Sequence, residues 1–245
     1  MRLAILSDVH GNLEALTVCC AHARAQGAQG FVCLGDFVGY GAEPEATLQL
    51  LRALPNFKAV RGNHDQALFV APTPLAPPGV NAAIAWTRPR LSPESLAYLQ
   101  SLPYLYRAGA ATYAHASAHC PGEWDYLTQP GQIEDCLEAA GTPLTFIGHV
   151  HVPRVFYETP GGAIRELGPV HGLAVPLSAQ ARYVINVGSV GQPRDGNNAT
   201  CYVLYDEEGA AVTFHRLAYD YFKTAAKIRA AGLNPFFAER LARGF

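Results

Sequence analysis

The N-terminal part of the chain alternates between short apolar runs and longer amphipathic stretches, and this order limits the folds available to it. Apolar runs at residues 2–7, 31–34 and 57–60 are typical of buried strands, whereas residues 12–26 and 45–53 are typical of helices. A β-α-β-α-β order predicts a parallel sheet with right-handed crossover connections. Ligands of such sheets bind at the carboxyl ends of the strands, so functional residues are expected there.

The rest of the chain combines helices with many strand signals. We expect a hairpin at residues 104–114, helices at residues 92–100 and 133–140, and a proline-rich loop at residues 71–79. Further strands are expected at residues 144–147, 152–157, 183–187, 200–205 and 212–217, and a helix at residues 219–230. This order fits two sheets packed face to face and flanked by helices. No linker composition interrupts it, so residues 1–245 are expected to form a single domain.

Composition excludes several classes of protein. The hydrophobic content of 49% is enough to bury a large core, and the formal net charge of -2 gives no general attraction for nucleic acid or anionic membranes. The apolar run at the N-terminus ends at Ser7, too early for a signal peptide, and no run approaches the length of a membrane span. We therefore expect a cytoplasmic protein without a membrane partner. The six cysteines contain no Cys-x-x-Cys pair and are expected to be buried, reduced thiols.

Polar side chains follow each of the first three predicted strands directly. Asp8 and His10 follow the first strand, Asp36 follows the second, and Asn63 and His64 follow the third. Because the carboxyl ends of parallel strands lie at the same edge of a sheet, we expect these side chains to lie close together. The sequence therefore predicts a functional site at this edge.

Later predicted strands add three histidines to this set. His115 follows the hairpin, and His149 and His151 follow the strand at residues 144–147. The two-residue spacing of His149 and His151 would point both side chains the same way if the strand continued through them. Carboxylate, imidazole and amide groups together suit manganese, iron, zinc or nickel. Since there are more of them than one ion needs, we predict a dinuclear hydrolytic centre.

The segment Arg61-Gly62-Asn63-His64-Asp65 is the most specific of these polar segments. Gly62 is expected to adopt a backbone turn that other residues resist. Asn63 would offer a neutral carbonyl oxygen to a metal. His64 would project over the site as a proton donor, because the pKa of histidine suits that task.

Each segment alone also has an ordinary structural interpretation. Asp8 could cap a helix, Asp36 could be a loop aspartate, and a single His115 could be a core residue. Asn63 and Asp65 could hold a polar turn through side-chain hydrogen bonds to the backbone. The joint occurrence of five such segments at predicted strand ends favours the metal site.

Taken in order, the five segments resemble the pattern of the calcineurin-like metallophosphoesterases: Asp-x-His, Gly-Asp, Gly-Asn-His-Asp/Glu, a later His, and Gly-His-x-His. All five lie between residues 8 and 151. Residues 185–194 are similar to the Asn-Pro-Gly-Ser block of the small bacterial, phosphodiesterase-like members, with Val187 in place of proline. The resemblance implies an α/β fold, a four-layer α/β/β/α sandwich of two mixed β-sheets flanked by helices.

The resemblance also implies two metal sites that share one carboxylate. One ion would be held by Asp8, His10, Asp36 and His151, and the other by Asp36, Asn63, His115 and His149. Manganese is the expected metal, with iron, zinc or nickel as alternatives. A hydroxide bridging the two metals would attack phosphorus, and His64 would protonate the leaving oxygen or stabilise the developing charge.

One segment departs from the family's protein-phosphatase branch, whose pattern is Gly-Asp-x-x-Asp-Arg-Gly. Here Gly39 replaces the aspartate that would orient the catalytic histidine, and Tyr40 replaces the phosphate-binding arginine. This argues against a phosphoprotein phosphatase. Asn12 and Arg194 could supply phosphate contacts instead, although either could be purely structural, and Asn12 is also a plausible helix N-cap.

The resulting hypothesis is a metal-dependent phosphoesterase that hydrolyses a small phosphodiester or phosphomonoester. The loops at residues 66–80 and 116–130 are expected to carry its substrate specificity. Two alternatives stay open: a non-catalytic scaffold, as in the retromer subunit that resembles this fold, and a nuclease. The complete ligand set and His64 favour catalysis over the scaffold, and the charge balance argues against nucleic acid as the partner. The oligomeric state is left open.

Overall fold

Two six-stranded sheets form the centre of the molecule in the computed structural model, which describes residues 1–77 and 79–245. Pro78, inside the predicted loop at residues 71–79, lies outside the described residues. The strands are β1 (Arg2–Leu6), β2 (Gly30–Cys33), β3 (Lys58–Ala59), β4 (Leu105–Ala108), β5 (Ala111–Ala114), β6 (Leu144–Ile147), β7 (Arg154–Glu158), β8 (Ile164–Leu167), β9 (Ala174–Pro176), β10 (Tyr183–Asn186), β11 (Thr200–Asp206) and β12 (Ala211–Leu217).

Helices cover the outer faces of the sheets and the loops at one end. They are α1 (Leu13–Ala25), α2 (Pro44–Arg52), α3 (Asn63–Ala67), α4 (Val80–Thr87), α5 (Pro93–Ser101), α6 (Pro130–Ala140), α7 (Tyr221–Ala230) and α8 (Pro235–Arg243), with a 3₁₀ turn at Arg88–Arg90. Within the described ranges, none of them combines the length and apolarity that crossing a membrane requires.

Both sheets are mixed, and each contains three neighbouring parallel strands. The first sheet has the order β3-β2-β1-β11-β12-β9, with β1, β2 and β3 parallel. The second has the order β4-β5-β6-β10-β7-β8, with β5, β6 and β10 parallel. Each sheet thus gathers three carboxyl ends at one edge, the place where such sheets bind ligands.

The two sheets pack face to face through a single apolar core. Ile5 and Val32 of the first sheet lie buried in it against Phe146 and Ile185 of the second. Helices α1, α2 and α5 cover the other face of the first sheet, and α6 covers that of the second through residues such as Ile133. The four layers confirm the predicted α/β/β/α sandwich of two mixed sheets.

The last two helices cover the loop that follows β2. Phe237 of α8 packs its ring against that of Tyr40, with 4.9 Å between the ring centroids. Ile228 of α7 and Ala83 of α4 belong to the same buried cluster. The C-terminal helices therefore pack next to the residues predicted to form the metal site.

Most predicted elements are confirmed, with shifted ends. The predicted helix at residues 133–140 begins earlier, at Pro130, and the hairpin consists of β4 and β5. Helices α3, α4 and α8 and strands β8 and β9 were not predicted. In the described part of the chain all six cysteines are unpaired thiols; five are buried as predicted, but Cys120 is exposed.

Candidate metal centre

The predicted ligands come together in loops at the carboxyl ends of five strands. Asp8 follows β1, Asp36 follows β2, and Asn63 opens α3 after β3. His115 follows β5, and the remaining two histidines follow β6. Six of the seven predicted ligand side chains are buried, and only Asn63 is half-buried. The parallel edges of the two sheets therefore meet around one polar cluster.

Left-handed backbone, and not strand alternation, turns these side chains inward. The five residues concerned are Asp8 (φ 54°), His10 (φ 49°), Asp36 (φ 53°), His149 (φ 64°) and His151 (φ 63°). The predicted mechanism for the two-residue spacing was therefore wrong, since each pair lies in a loop beyond its strand. A non-glycine residue in this region costs of order 1–3 kcal/mol and persists where the surrounding structure enforces it. Such strain concentrated in one cluster is typical of a functional site.

Backbone carbonyls fix the tautomers of His10 and His151. The Nδ1–H of His10 donates to the Val38 carbonyl at 2.9 Å, and that of His151 donates to the Gln192 carbonyl at 2.6 Å. A carbonyl only accepts, so each Nδ1 carries the proton and each Nε2 presents a lone pair. The two Nε2 atoms face one another at 3.3 Å.

His115 and His149 repeat this arrangement. The His115 Nδ1–H donates to the Leu34 carbonyl at 2.8 Å, and the His149 Nε2–H donates to the Trp124 carbonyl at 2.9 Å. Their other nitrogens, Nε2 of His115 and Nδ1 of His149, face each other at 3.1 Å. The Asn63 Oδ1 atom, also an acceptor, lies 3.0 Å from the same Nε2.

Both aspartates use one oxygen on the backbone and leave the other in the cluster. Asp8 Oδ2 accepts from the His149 N–H at 3.0 Å, and Asp36 Oδ1 accepts from the His64 N–H at 2.8 Å. Asp8 Oδ1 is buried without a hydrogen-bond partner among the described residues and lies 3.1 Å from His151 Nε2. The carboxylate oxygens therefore lie among the histidine nitrogens whose lone pairs point inward.

Asp36 lies between the two histidine pairs. Its Oδ2 atom is 3.6 Å from His10 Nε2 and 3.5 Å from His115 Nε2. One oxygen is thus nearly equidistant from a histidine of each pair, as a bridging ligand would be.

Divalent cations fit this cluster. Burial lowers the pKa values of His10, His115 and His151, and lowers that of His149 to about 3, so the four rings are neutral. No proton therefore lies between the ring nitrogens that face each other within each histidine pair.

The carboxylate of Asp36 also favours a cation. Burial raises the pKa of Asp36, and the charges of nearby carboxylates raise it further. Groups of three ligand atoms within 4.8 Å of one another include Asp8, His10 and His151, and also Asp8, Asp36 and His115. A cation would satisfy these lone pairs and charges together.

His64 differs from the four carbonyl-bonded histidines. Its Nε2 lies 4.0 Å from Asp36 Oδ2, and its Nδ1 is buried without a partner in the described ranges. The ring packs against Gly39, where an added Cβ would overlap it, and lies 4.5 Å from the Tyr40 ring. Burial lowers its pKa. No carbonyl fixes its tautomer, and the ring also falls within reach of His10 and Asp36 as a ligand.

Asp65 holds the turn at Gly62, the structural interpretation that the sequence offered, and it also fixes the loop that carries Asp36, which the sequence did not reveal. Its Oδ2 accepts from the N–H groups of Asp36 and Gly62, each at 2.9 Å, and its Oδ1 accepts from Phe37 at 3.0 Å. Burial raises its pKa to about 7. The signal was present in the motif, because an aspartate two residues after Asn63 can reach back to the backbone of its own turn.

Gly62 is required for close approach and not for a special turn. Its φ of -99° is open to any residue, so the predicted reason for this glycine was wrong. An added Cβ would instead overlap the backbone nitrogen and Oδ1 of Asp36. The end of β3 thereby lies close enough to Asp36 for Asn63 to join the cluster.

The block at residues 185–194 holds two of the ligand loops. Asn186 Nδ2 donates to the Gly148 carbonyl at 2.7 Å, and Ser189 Oγ donates to the Asp8 carbonyl at 3.0 Å. Both side chains are buried. The loops after β1 and β6 are therefore tied together through the loop after β10.

The two predicted substrate contacts lie in different surroundings. Asn12 caps α1 by accepting from the Ala15 N–H, which confirms the predicted N-cap, and its Nδ2 donates to the Gly191 carbonyl. Arg194 is half-buried and lines a large cavity next to His64, and its Nε has no partner within the described chain. The substrate contact of Asn12 stays a prediction, while Arg194 is placed where an anion could reach it.

Comparisons with known proteins identify the family and the fold. The profile of the calcineurin-like phosphoesterase superfamily domain matches residues 1–209. A metallophosphoesterase from Sphaerobacter thermophilus is 37% identical, and its crystal structure has a TM-score of 0.87 with coverage of 100% of this chain and 99% of that chain. An uncharacterized protein of Methanocaldococcus jannaschii is 35% identical over 99% of this chain and 98% of its own length. A hypothetical protein from Pyrococcus horikoshii OT3 shares the fold, with a TM-score of 0.79 at 19% identity, over 100% of this chain and 98% of that chain.

Proposed function

Because the chain belongs to the calcineurin-like phosphoesterase superfamily, we propose that it hydrolyses a small phosphodiester with two divalent metal ions. The observation that carries this proposal is that two pairs of neutral histidines lie on either side of Asp36 Oδ2. Within each pair, two ring nitrogens face each other through their lone pairs, and the carboxylate oxygen lies between the two pairs. Two ions that share one carboxylate would satisfy all of these atoms.

The chain's own residues divide into two ligand sets. Asp8, His10, Asp36 and His151 would hold one ion, and Asp36, Asn63, His115 and His149 would hold the other. When bound, such ions lower the pKa of water and neutralise phosphoryl oxygens. The mixed oxygen and nitrogen set suits manganese, which we propose as the metal, with iron, zinc or nickel as alternatives.

His64 is the proposed general acid. Its ring lies 4.9 Å from the His10 ring and lines the cavity together with Asn63 and Arg194. A proton on Nε2 could be given to the leaving oxygen of a bound ester, since Nδ1 is not held by a carbonyl. Arg194 would bind a phosphoryl oxygen through its guanidinium group. Asn12 would act on the substrate only indirectly, by holding the loop at Gly191.

The proposed preference is for diesters over monoesters and phosphoproteins. At the position where the protein-phosphatase branch has a phosphate-binding arginine, the Tyr40 ring packs 4.6 Å from the His10 ring and 4.5 Å from the His64 ring. A monoester carries more negative charge than a diester, so the lack of that arginine penalises monoesters more. Gly39 leaves room for the His64 ring where an aspartate would collide with it.

The test compares kcat/KM for bis-p-nitrophenyl phosphate, p-nitrophenyl phosphate and a phosphoserine peptide on manganese-loaded protein. We expect metal-dependent turnover of the diester, weaker turnover of the monoester, and little or none of the peptide. Asp36→Asn is the matched inactive variant, because a neutral amide bridges two cations poorly.

Three results would contradict the proposal. Efficient hydrolysis of the phosphopeptide would overturn the diester preference. Full metal loading without turnover of any ester would favour a non-catalytic scaffold. Preferential cleavage of single-stranded DNA would instead favour a nuclease.

A further inference from the structure

The cavity beside the candidate metal centre is larger than a phosphate group requires. Its volume is about 910 Å³, and its wall includes Asn63, His64 and Arg194. Cavities that bind a whole small molecule measure roughly 300–1,000 Å³. The space is therefore large enough for much of a substrate's organic part as well as its phosphate.

The wall away from the ligand residues is mainly aliphatic. It comes from α3, α4 and the segments next to them, and its larger apolar residues are Leu68, Val70, Val80, Ile84, Leu91 and Leu96. Val70 is 52% exposed, so part of this apolar wall is open to solvent. Covering such surface is favourable by about 25 cal/mol per Å².

The two amide side chains on this wall are each engaged by the protein at one atom. Gln66 Oε1 accepts from the Tyr104 hydroxyl at 2.8 Å, and Asn81 Nδ2 donates to the Thr73 carbonyl at 2.8 Å. Arg88 also lines the cavity, and Trp124 and Tyr126 line it nearer the ligand residues. A base entering the cavity would have to replace its hydrogen bonds to water with the few polar atoms left free here, and each bond not replaced would be costly. An aliphatic group has no such bonds to lose.

We propose that the substrate carries an aliphatic arm that occupies this cavity while its phosphate lies at the metal ligands. This inference rests on the proposed function, since it assumes that the phosphoryl group binds beside His64 and Arg194. The substrate class is then an alkyl or acyl-chain phosphate ester, and not a nucleotide. Helix α4, with Val80, Ile84 and Ala85 on the wall, becomes the element that determines specificity.

The experiment measures the binding of methyl-, butyl- and octylphosphonate to manganese-loaded protein by calorimetry, below micelle-forming concentrations. These compounds cannot be hydrolysed at the carbon–phosphorus bond, so affinity is read independently of turnover. We expect Kd to fall roughly two- to fourfold for each added methylene until the cavity is filled. The phosphonate analogue of thymidine monophosphate should bind less tightly than octylphosphonate.

Two alanines of α4 provide a matched pair of variants. Ala85 lines the cavity, whereas Ala82 does not line it, and both are exposed positions that should tolerate tryptophan in the fold. Ala85→Trp should remove most of the dependence on chain length, so that octyl- and methylphosphonate bind with similar affinity. Ala82→Trp should keep the full dependence.

The outcomes separate this inference from the proposed function. Tight methylphosphonate binding with no gain from longer chains would overturn the aliphatic arm while leaving diester hydrolysis intact. Stronger binding of the thymidine analogue than of octylphosphonate would overturn it in favour of a nucleotide. Failure of every phosphonate to bind, together with no turnover of bis-p-nitrophenyl phosphate, would overturn both.

Discussion

Hydrogen bonds to backbone carbonyls separate the histidines of the site into two kinds. Each of the four candidate ligand histidines donates one ring N–H to a carbonyl and turns its other nitrogen inward. His64 Nδ1 makes no such bond to the residues described. A fixed tautomer suits a metal ligand, whereas an acid has to gain and lose its proton.

Replacing His64 and His151 should therefore give different losses. His64→Ala should keep both metal ions but lower kcat by roughly 10²–10⁴-fold, the range for loss of a general acid. His151→Ala should lose metal, because it removes an inward lone pair 3.1 Å from Asp8 Oδ1. Metal content by mass spectrometry, with kcat for bis-p-nitrophenyl phosphate, tests both. Loss of metal from His64→Ala would show that His64 is a ligand and not an acid.

Among single residues, the sequence selected the side chains that form the cluster but did not predict how they converge. The order of the polar segments was enough to select Asp8, Asp36 and the histidines, because short motifs place them at strand ends. The left-handed φ angles of these loops were not predictable, since alternation along a strand offered a simpler explanation of the two-residue spacing. The sequence suggested the bond of Asp65 to its own turn but not its bonds to Asp36 and Phe37, because those partners are distant in sequence.

Among the elements, the junction of β3 and α3 is tightly constrained. Gly62 lies between them, and its backbone contacts that of Gly35 as well as Asp36. Gly62→Ala should lower the free energy of unfolding by about 1–3 kcal/mol, the usual cost of overpacking, and weaken metal binding by displacing Asp36. Urea unfolding and metal titration measure the two effects.

The control for this change is a glycine in another helix. Gly131 of α6 has no atom of the described chain within 4 Å of an added Cβ, so Gly131→Ala should stabilise the protein by about 0.4–1 kcal/mol. Metal affinity should be unchanged in this variant. Equal metal affinity in Gly62→Ala and the wild type would refute the close-approach explanation.

Helices and strands were predicted correctly where the apolar pattern and the capping residues indicated the same element. Ser92 caps α5 by accepting from the Ser95 N–H, as its position before Pro93 predicted. Helix α8 carries the same signal, since Asn234 precedes Pro235 and accepts from the Phe236 N–H, so it could have been found. Strands β8 and β9 could not, because they are short edge strands with mostly exposed residues and no apolar alternation.

At the scale of the whole molecule, the candidate metal centre lies between the two sheets. Asp8, Asp36 and Asn63 come from loops of the first sheet, and the histidines after β5 and β6 come from the second. Two ions held across this boundary would bind the folded chain and not the unfolded one. Folding and metal binding should therefore be thermodynamically linked.

Metal removal should destabilise the protein in two saturable steps. An ion at 100 times its Kd adds about 2.7 kcal/mol, which corresponds to roughly 5–10 °C in Tm for a chain of this size. We expect chelator-treated protein to regain Tm as manganese is added, with saturation at two ions per chain. His119→Ala, an exposed histidine outside the ligand clusters, should show the same gain. Saturation at one ion per chain would refute the dinuclear centre. The four histidines and Asp36 would then bind one metal ion together and not two.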